Sequence, residues 1–192
     1  MKRVSVLYVD PPWAFENEKT GGNHKSGAGQ QYGTLDQAAL ERLPVGAVLA
    51  PSAVLFLWAV IPQLPEAFRL MTAWGFAYKT SFEWIKDYGG DRMGLGFWHR
   101  GGVEMLLVGI RGDVRPFGYQ QPGWFKAPVG RHSGKPPDAR ALIDACVAGF
   151  RDPHKLELFG RAPVDGWTVL GNEIDGRDIR EALRDLAQAI HT

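Results

Sequence analysis

The sequence has a single cysteine, Cys146, among its 192 residues. One thiol excludes an intramolecular disulfide and is typical of a protein of the reducing cytoplasm, where we expect this one to act. Because Cys146 lies in an apolar helical stretch, we predict that its thiol is part of the core. The five histidines do not cluster with it or with acidic residues at the spacing of metal ligands, so we expect no zinc site.

Long apolar runs and an excess of charge are also missing. No run approaches the roughly 20 residues of a membrane-spanning helix, and the chain begins directly with a strand pattern rather than a signal peptide. We therefore expect no membrane partner. The formal net charge is only +1, which is low for a protein that holds long nucleic acid by charge alone. A nucleic-acid partner would be held through a small basic footprint, or with help from a protein partner or a second copy of the chain.

The usual nucleotide-binding motifs are absent as well. No G-x-G-x-x-G sequence follows a strand pattern. The stretch GRHSGKPP, residues 130–137, resembles a phosphate loop, but its glycines are one residue too close and Pro136 stands where Ser or Thr would hold Mg²⁺. An ATP-using enzyme is therefore disfavoured. We interpret Lys135 as a cation fixed at the start of a helix by the prolines that follow it, the alternative being an exposed loop lysine.

What the chain does contain indicates an α/β fold. Hydrophobic residues make up 45% of it, which predicts one globular domain over residues 1–192. Apolar, β-rich patterns predict strands at residues 4–9, 53–60, 76–85, 103–110, 155–159 and 167–170. Periodic or capped patterns predict helices at residues 34–43, 62–74, 136–148 and 177–190. Strands that alternate with helices indicate a doubly wound sheet.

Three polar segments separate these elements: residues 16–33, 86–102 and 113–134. They are long and rich in charged residues, glycine or proline, and long loops in compact domains are usually functional. We predict that the first and the third are mobile without ligand and that their scattered cations contact phosphate.

The most informative stretch is VLYVDPPWAF, residues 6–15. A buried strand ends on Asp10, at the sheet edge where open α/β sheets bind ligands. Pro11 and Pro12 stiffen the loop and leave carbonyl acceptors, and Trp13 offers a flat aromatic surface. Together they suit a planar group with N–H donors, such as an amino-purine. The alternative is ordinary turn chemistry with a tryptophan that caps the core.

Two further strand patterns end on polar groups. KLELFGR, residues 155–161, ends on Gly-Arg, and the loop GNE, residues 171–173, carries an amide and an acid. Each alone is explained by a solvated strand end or a turn. If they share one sheet edge with Asp10, they form a single site with a cofactor side and a substrate side.

In this order the motifs resemble the permuted DPPW-containing N6-adenine methyltransferases, relatives of the eukaryotic mRNA adenosine methyltransferase with bacterial and phage members. The matching pieces are DPPW (10–13), QYGTL (31–35), VLFLW (54–58), GFWHRGGVEMLLVGIRG (96–112), HSGKP (132–136), KLELFGR (155–161) and GW with GNE (166–173). The resemblance covers almost the whole chain. It implies a Rossmann-like methyltransferase fold with a doubly wound, mostly parallel sheet, and S-adenosyl-L-methionine as the methyl donor.

The resemblance also implies roles for individual residues. Catalysis is assigned to the turn Asp10, Pro11, Pro12 and Trp13, with Asp10 between the donor's amino group and the target amine. The other donor-binding residues are Lys135 for the carboxylate, Arg161 and Asn172 for the ribose, and Phe159 and Glu173 beside them. The substrate side is assigned to Trp13, Tyr32, Arg100 and Glu104. Longer members bind the donor's adenine with residues upstream of the catalytic strand, and since only nine residues precede Asp10 here, we expect other residues to take that role.

We therefore expect transfer of a methyl group to the N6 amine of adenine in nucleic acid, with DNA favoured over RNA. Two alternatives stay open. A non-catalytic homologue could bind nucleic acid as a scaffold for an active partner. A related enzyme could methylate another planar amine or amide, such as cytosine N4 or a glutamine side chain.

Overall fold

The computed structural model describes residues 1–13, 35–90, 92, 94, 99–130 and 134–192. Within these ranges the strands are β1 (Val4–Val9), β2 (Leu49–Ala59), β3 (Ala77–Asp87), β4 (Val103–Arg111), β5 (Trp124–Pro128), β6 (Lys155–Leu158) and β7 (Thr168–Leu170). The α-helices are α1 (Gln37–Glu41), α2 (Val45–Val48), α3 (Leu64–Ala73), α4 (Asp138–Cys146), α5 (Asn172–Asp175) and α6 (Ile179–His191). No helix in this part of the chain is long and apolar enough to cross a membrane.

The strands form one seven-stranded sheet in the order β5-β3-β4-β2-β1-β6-β7. Strand β4 runs antiparallel to its neighbours β2 and β3, whereas the other four strand pairs are parallel. Helices cover both faces, because α4 packs in the core on one face while α3 and α6 pack in the core on the other. The predicted Rossmann-like, doubly wound, mostly parallel sheet is confirmed.

The DPPW segment lies at the centre of the sheet, because it follows β1. Strand β1 lies between β2 and β6, and five of its six residues are buried, as its continuous apolar sequence predicts for a strand covered on both faces. Asp10 follows directly and is the first residue of this segment that reaches solvent at the carboxyl edge.

Several predicted boundaries are wrong. Strand β2 begins at Leu49 and not at residue 53, and Asn172 and Glu173, predicted in a loop, begin α5. Region 113–134 contains β5, which pairs in parallel with β3 from Glu83 to Asp87, so it is not irregular throughout. Strand β3 continues to Asp87 and includes Lys86, which the sequence pattern places in a loop. Helix α1 begins at Gln37 and not at Thr34, because the Asp36 carboxylate accepts a hydrogen bond from the backbone N–H of Ala39 (2.6 Å) and so caps the helix.

The predicted core position of Cys146 is confirmed. The residue is in α4 and is 2% exposed, within the cluster that packs on the Tyr8 face of the sheet. Burial raises the pKa of its thiol to about 11. The thiol is therefore neutral at ordinary pH and behaves as a small apolar side chain.

Candidate functional site

A cleft of about 680 Å³ lies at the carboxyl edge of the sheet, where several strands end. Of the predicted site residues it is lined by Asp10, Pro11, Pro12, Trp13, Glu104, Lys135, Phe159, Arg161, Asn172 and Glu173. Of the other two, Arg100 is exposed and does not line the cleft, and Tyr32 falls outside the described residues, so its role stays a prediction. Polar groups from separate strand ends thus share one edge, as a doubly wound sheet requires of a ligand site.

The DPPW segment forms a tight turn at the end of β1. The backbone N–H of Trp13 donates to the carbonyl of Pro11 (2.8 Å), which leaves that oxygen one lone pair for a further donor. Trp13 itself is 8% exposed, and its indole N–H donates to the carbonyl of Trp58 (3.3 Å). Trp13 therefore caps the core and lines the cleft at once, and stacking of a base on its ring stays a prediction.

Lys135 joins the two walls of the cleft. Its ammonium lies 2.8 and 2.9 Å from the two carboxylate oxygens of Asp10 and 3.5 Å from Oε1 of Glu104. The lysine side chain is 12% exposed and that of Glu104 is 9% exposed. Burial alone would lower the pKa of Lys135, but the two carboxylates outweigh burial and raise this pKa above its ordinary value. Lys135 is thus a charged group fixed in the site and not an exposed loop lysine.

Glu104 has a second cationic partner that the sequence did not reveal. Lys86 places its ammonium 3.2 Å from Oε2 of Glu104 and 5.1 Å from the centre of the Trp84 ring. Asp10, Lys135, Glu104 and Lys86 therefore form a row of alternating charges along the cleft. The sequence gives no comparable signal for Lys86, because the preceding strand already carries Lys79 and Glu83 and a lysine in that position also fits the start of a polar loop.

Two buried tryptophans form an aromatic base beneath this row. The rings of Trp58 and Trp84 meet edge to face at 6.0 Å, and the Lys135 ammonium lies 5.5 Å from the Trp58 ring. The Trp58 N–H donates to the Tyr8 hydroxyl (2.7 Å) and the Trp84 N–H donates to the carbonyl of Ala127 (2.9 Å). With both polar atoms bonded, the rings are held in single orientations.

The other end of the cleft is built by the segments after β6 and β7. Phe159 has a left-handed backbone with φ of 64°, a strained conformation for a phenylalanine. Gly160 and Gly171 follow in direct backbone contact: a Cβ on Gly171 would lie 2.1 Å from the carbonyl oxygen of Gly160. This contact brings Arg161 and Glu173 together, with Nε 3.5 Å from Oε1.

The residues present fit S-adenosyl-L-methionine, the donor that the resemblance implies. Its carboxylate requires a cation, which Lys135 supplies, and its ammonium requires an anion, which Asp10 supplies. Its ribose hydroxyls require polar partners, available from Asn172 and Glu173 at the opposite end. The cleft continues past Glu173 along Arg177, Asp178 and Ile179, which are candidates for the adenine contacts left unassigned by the sequence. No group of three or more His, Cys, Asp or Glu in the described ranges could hold a metal ion.

Comparison with known proteins finds methyltransferases among the relatives of this chain. The chain is 31% identical to the type II methyltransferase M.MunI of Mycoplasma over 93% of this chain and 81% of the relative. It is 30% identical to the human N(6)-adenosine-methyltransferase catalytic subunit METTL3 over 91% of this chain and 29% of the relative. It is 26% identical to the human N(6)-adenine-specific methyltransferase METTL4 over 90% of this chain and 38% of the relative.

The chain thus spans most of the bacterial relative but well under half of either human protein. The MT-A70 family model matches residues 4–173, a range that begins with β1 and ends beside Asn172, and so includes every strand and the lining from Asp10 to Glu173. On this match, and on the similarity to the bacterial enzyme, the chain belongs to the MT-A70 family, in agreement with the resemblance of its motifs.

Proposed function

We propose that the protein transfers a methyl group from S-adenosyl-L-methionine to the N6 amine of adenine in DNA. The observation that carries the proposal is the Asp10 carboxylate, held at 2.8 Å by a buried lysine beside the Pro11 carbonyl, in a cleft at the sheet edge of an MT-A70 protein. The two human relatives are named for N6 methylation of adenosine and adenine. The bacterial type II methyltransferase, which the chain spans over most of its length, supports DNA as the polymer.

The chemistry that the site must solve is the weak nucleophilicity of an exocyclic amine, whose lone pair is delocalised into the ring. The Asp10 carboxylate can accept one N–H of the amine, and the free lone pair of the Pro11 carbonyl can accept the other. Because charge develops on the nitrogen as the new bond forms, fixed acceptors on its hydrogens favour the transition state over the ground state. The donor, when bound, supplies an electrophilic methyl group.

The remaining residues position the reactants. We assign Lys135 to the donor carboxylate, and Arg161 and Asn172 to its ribose with Glu173 beside them. Orientation of this kind supplies a large part of the rate enhancement. Trp13 and Glu104 are assigned to the base. Since the amine of a paired adenine lies inside the duplex, an adenine in duplex DNA has to be flipped out or already unpaired before it can enter the cleft.

The test is incubation of the purified protein with labelled donor and with adenine-containing duplex DNA, single-stranded DNA or RNA, followed by mass spectrometry of the nucleosides. We expect N6-methyldeoxyadenosine from DNA. Asp10→Ala should abolish its formation and leave the protein folded, with a lower melting temperature because Lys135 loses one of the two carboxylates that it contacts. Asp144→Ala, which removes an exposed acid on α4 away from the cleft, is the matched control and should retain activity.

Several outcomes would contradict the proposal. Near-normal turnover of Asp10→Ala would remove Asp10 from the reaction. Methyl groups found on cytosine N4 would identify a different amine as the substrate. Methyl groups found only in RNA would show that RNA, and not DNA, is the polymer that is methylated. Binding of nucleic acid without methyl transfer to any polymer would favour the scaffold alternative.

A further inference from the structure

The Lys86 side chain is the one member of the charged row to which neither the resemblance nor the proposed reaction gives a role. It reaches the cleft from the end of β3 and is 22% exposed. Its ammonium touches Glu104 at 3.2 Å, and it lies over the Trp84 ring. Trp84 on β3 pairs with Glu104 on β4. The register of these two strands therefore places Lys86 close to Glu104.

The need for Lys86 follows from the number of carboxylates around Lys135. In the structure the Lys135 ammonium is shared between Asp10 and Glu104. In the proposed function, on which this inference rests, it also binds the donor's carboxylate. Glu104 is nearly buried, and a buried carboxylate is strongly destabilised without a cation. Without another partner, Glu104 would compete with the donor for Lys135.

We propose that Lys86 is a positioning residue for methyl transfer: by pairing with Glu104 it leaves the Lys135 ammonium directed toward Asp10 and the donor carboxylate. Two cations then balance the two acids of the row before the donor binds. The charged groups that face Glu104 in the described part of the chain are Lys86 from β3 and Lys135 from the segment before α4. Removal of Lys86 leaves Glu104 with Lys135 alone.

Two other roles for Lys86 make different predictions. A lysine that contacts a phosphate of the polymer would affect polymer binding and its salt dependence, but not donor affinity. A lysine that only supports the fold through its stem on Trp84 would affect stability, and an uncharged stem of similar length would replace it. A positioning role through Glu104 requires instead that the effect of removing Lys86 depends on the Glu104 carboxylate.

The experiment is a double-mutant cycle of Lys86→Met and Glu104→Gln, with Lys86→Arg as the conservative variant. Affinity for S-adenosylhomocysteine is measured by calorimetry, and kcat, KM and the salt slope are measured with DNA. We expect Lys86→Met to weaken binding of the donor analogue about tenfold and Lys86→Arg to retain most of it. In Lys86→Met with Glu104→Gln, analogue affinity should return to that of Glu104→Gln alone. Lys79→Met, an exposed lysine near the other end of β3, should match the wild type.

The proposal is overturned if the two substitutions have independent effects on analogue affinity. It is also overturned if Lys86→Met leaves that affinity unchanged and lowers the salt slope by about one, which would identify a phosphate contact. If Lys86→Met does not fold, Lys86→Gln takes its place in the cycle, because it removes the positive charge and keeps a polar end group beside Glu104. A wild-type protein that methylates no adenine would overturn the proposed reaction. The role of Lys86 could still be tested in that case, because calorimetry measures binding of the donor analogue and needs no turnover.

Discussion

At the scale of single residues, Lys135 is the side chain on which both walls of the cleft depend. It contacts an acid that follows β1 and an acid that begins β4, two elements that are not neighbours in the sheet. The sequence could predict that Lys135 is fixed, because prolines follow it. It could not predict the Asp10 contact, because the two residues are 125 positions apart and their meeting depends on the strand order.

We predict that Lys135→Ala weakens binding of S-adenosylhomocysteine by about 1.5–3 kcal/mol through loss of a charge-assisted contact. It should also lower the melting temperature, because Asp10 and Glu104 then face each other without their shared cation. Calorimetry and thermal unfolding measure the two effects, with Lys135→Arg as the charge-conserving control.

Glu104→Ala should lower turnover and leave the affinity for S-adenosylhomocysteine unchanged. Equal losses of affinity in Lys135→Ala and Glu104→Ala would contradict the division into a donor side and a base side.

The residue that sequence reasoning missed, Lys86, shows the limit of local patterns. A lysine at the end of a strand pattern is usually the point where the chain leaves the core, and here β3 continues for one residue beyond it. Only the partner strand shows that its ammonium meets a buried carboxylate. Roles that depend on a contact between two strands are therefore visible only once the register is known.

At the scale of elements, the strands that sequence predicts best are the ones buried on both faces. β1 and the second half of β2 are continuous apolar runs with almost no exposed residue, which makes their pattern strong. β5 is short, lies at the sheet edge and exposes three of its five residues, among them Trp124 at 54%. Its sequence between glycine and proline carries no such pattern, and so the strand is not predicted. The antiparallel course of β4 is likewise invisible, because a strand pattern has no direction.

The backbone contact of Gly160 with Gly171 gives an element-scale prediction. A Cβ on Gly171 would overlap a backbone carbonyl, which cannot rotate away. We expect Gly171→Ala to destabilise the protein by about 1–3 kcal/mol, a drop in melting temperature of about 2–4 °C per kcal/mol for a chain of this size, and to weaken donor binding by shifting Asn172. Gly149→Ala is the matched control, since a Cβ on Gly149 would meet no atom within 4 Å. Equal melting temperatures for the two variants would show that the segments after β6 and β7 can separate freely.

At the scale of the whole molecule, the charge is nearly balanced, and many of the described cations are already paired. Lys126, one of the cations predicted to contact phosphate, is exposed and forms an ion pair with Asp87 at 3.2 Å. Arg115 is exposed as well. Lys19, Lys25 and Arg131, and the predicted mobile loop over residues 16–33, lie outside the described residues, so their phosphate contacts stay a prediction.

With about five phosphate contacts at most, the affinity for nucleic acid should fall with salt at a slope of roughly four or five in logarithmic terms. Neutralising Lys19, Lys25, Lys126 and Arg131 together should raise the KM for DNA and flatten this slope, while affinity for S-adenosylhomocysteine stays the same. The control neutralises four exposed cations outside the cleft lining, Lys2, Arg69, Lys79 and Arg151. If the variant without Lys19, Lys25, Lys126 and Arg131 keeps the salt dependence of the wild type, the polymer must be bound by another face of the molecule or by another protein.

Because β4 runs against its neighbours, Lys86 near the end of one strand and Glu104 near the start of the next are the two ends of a single hairpin connection. The pairing of β3 with β4 from Ala77–Ile110 to Ile85–Val103 sets their separation, whatever the length of chain between them. The register of the sheet, and not the connection between the two strands, therefore holds the Lys86–Glu104 pair, so a change in that connection which leaves the register intact should leave this ion pair in place.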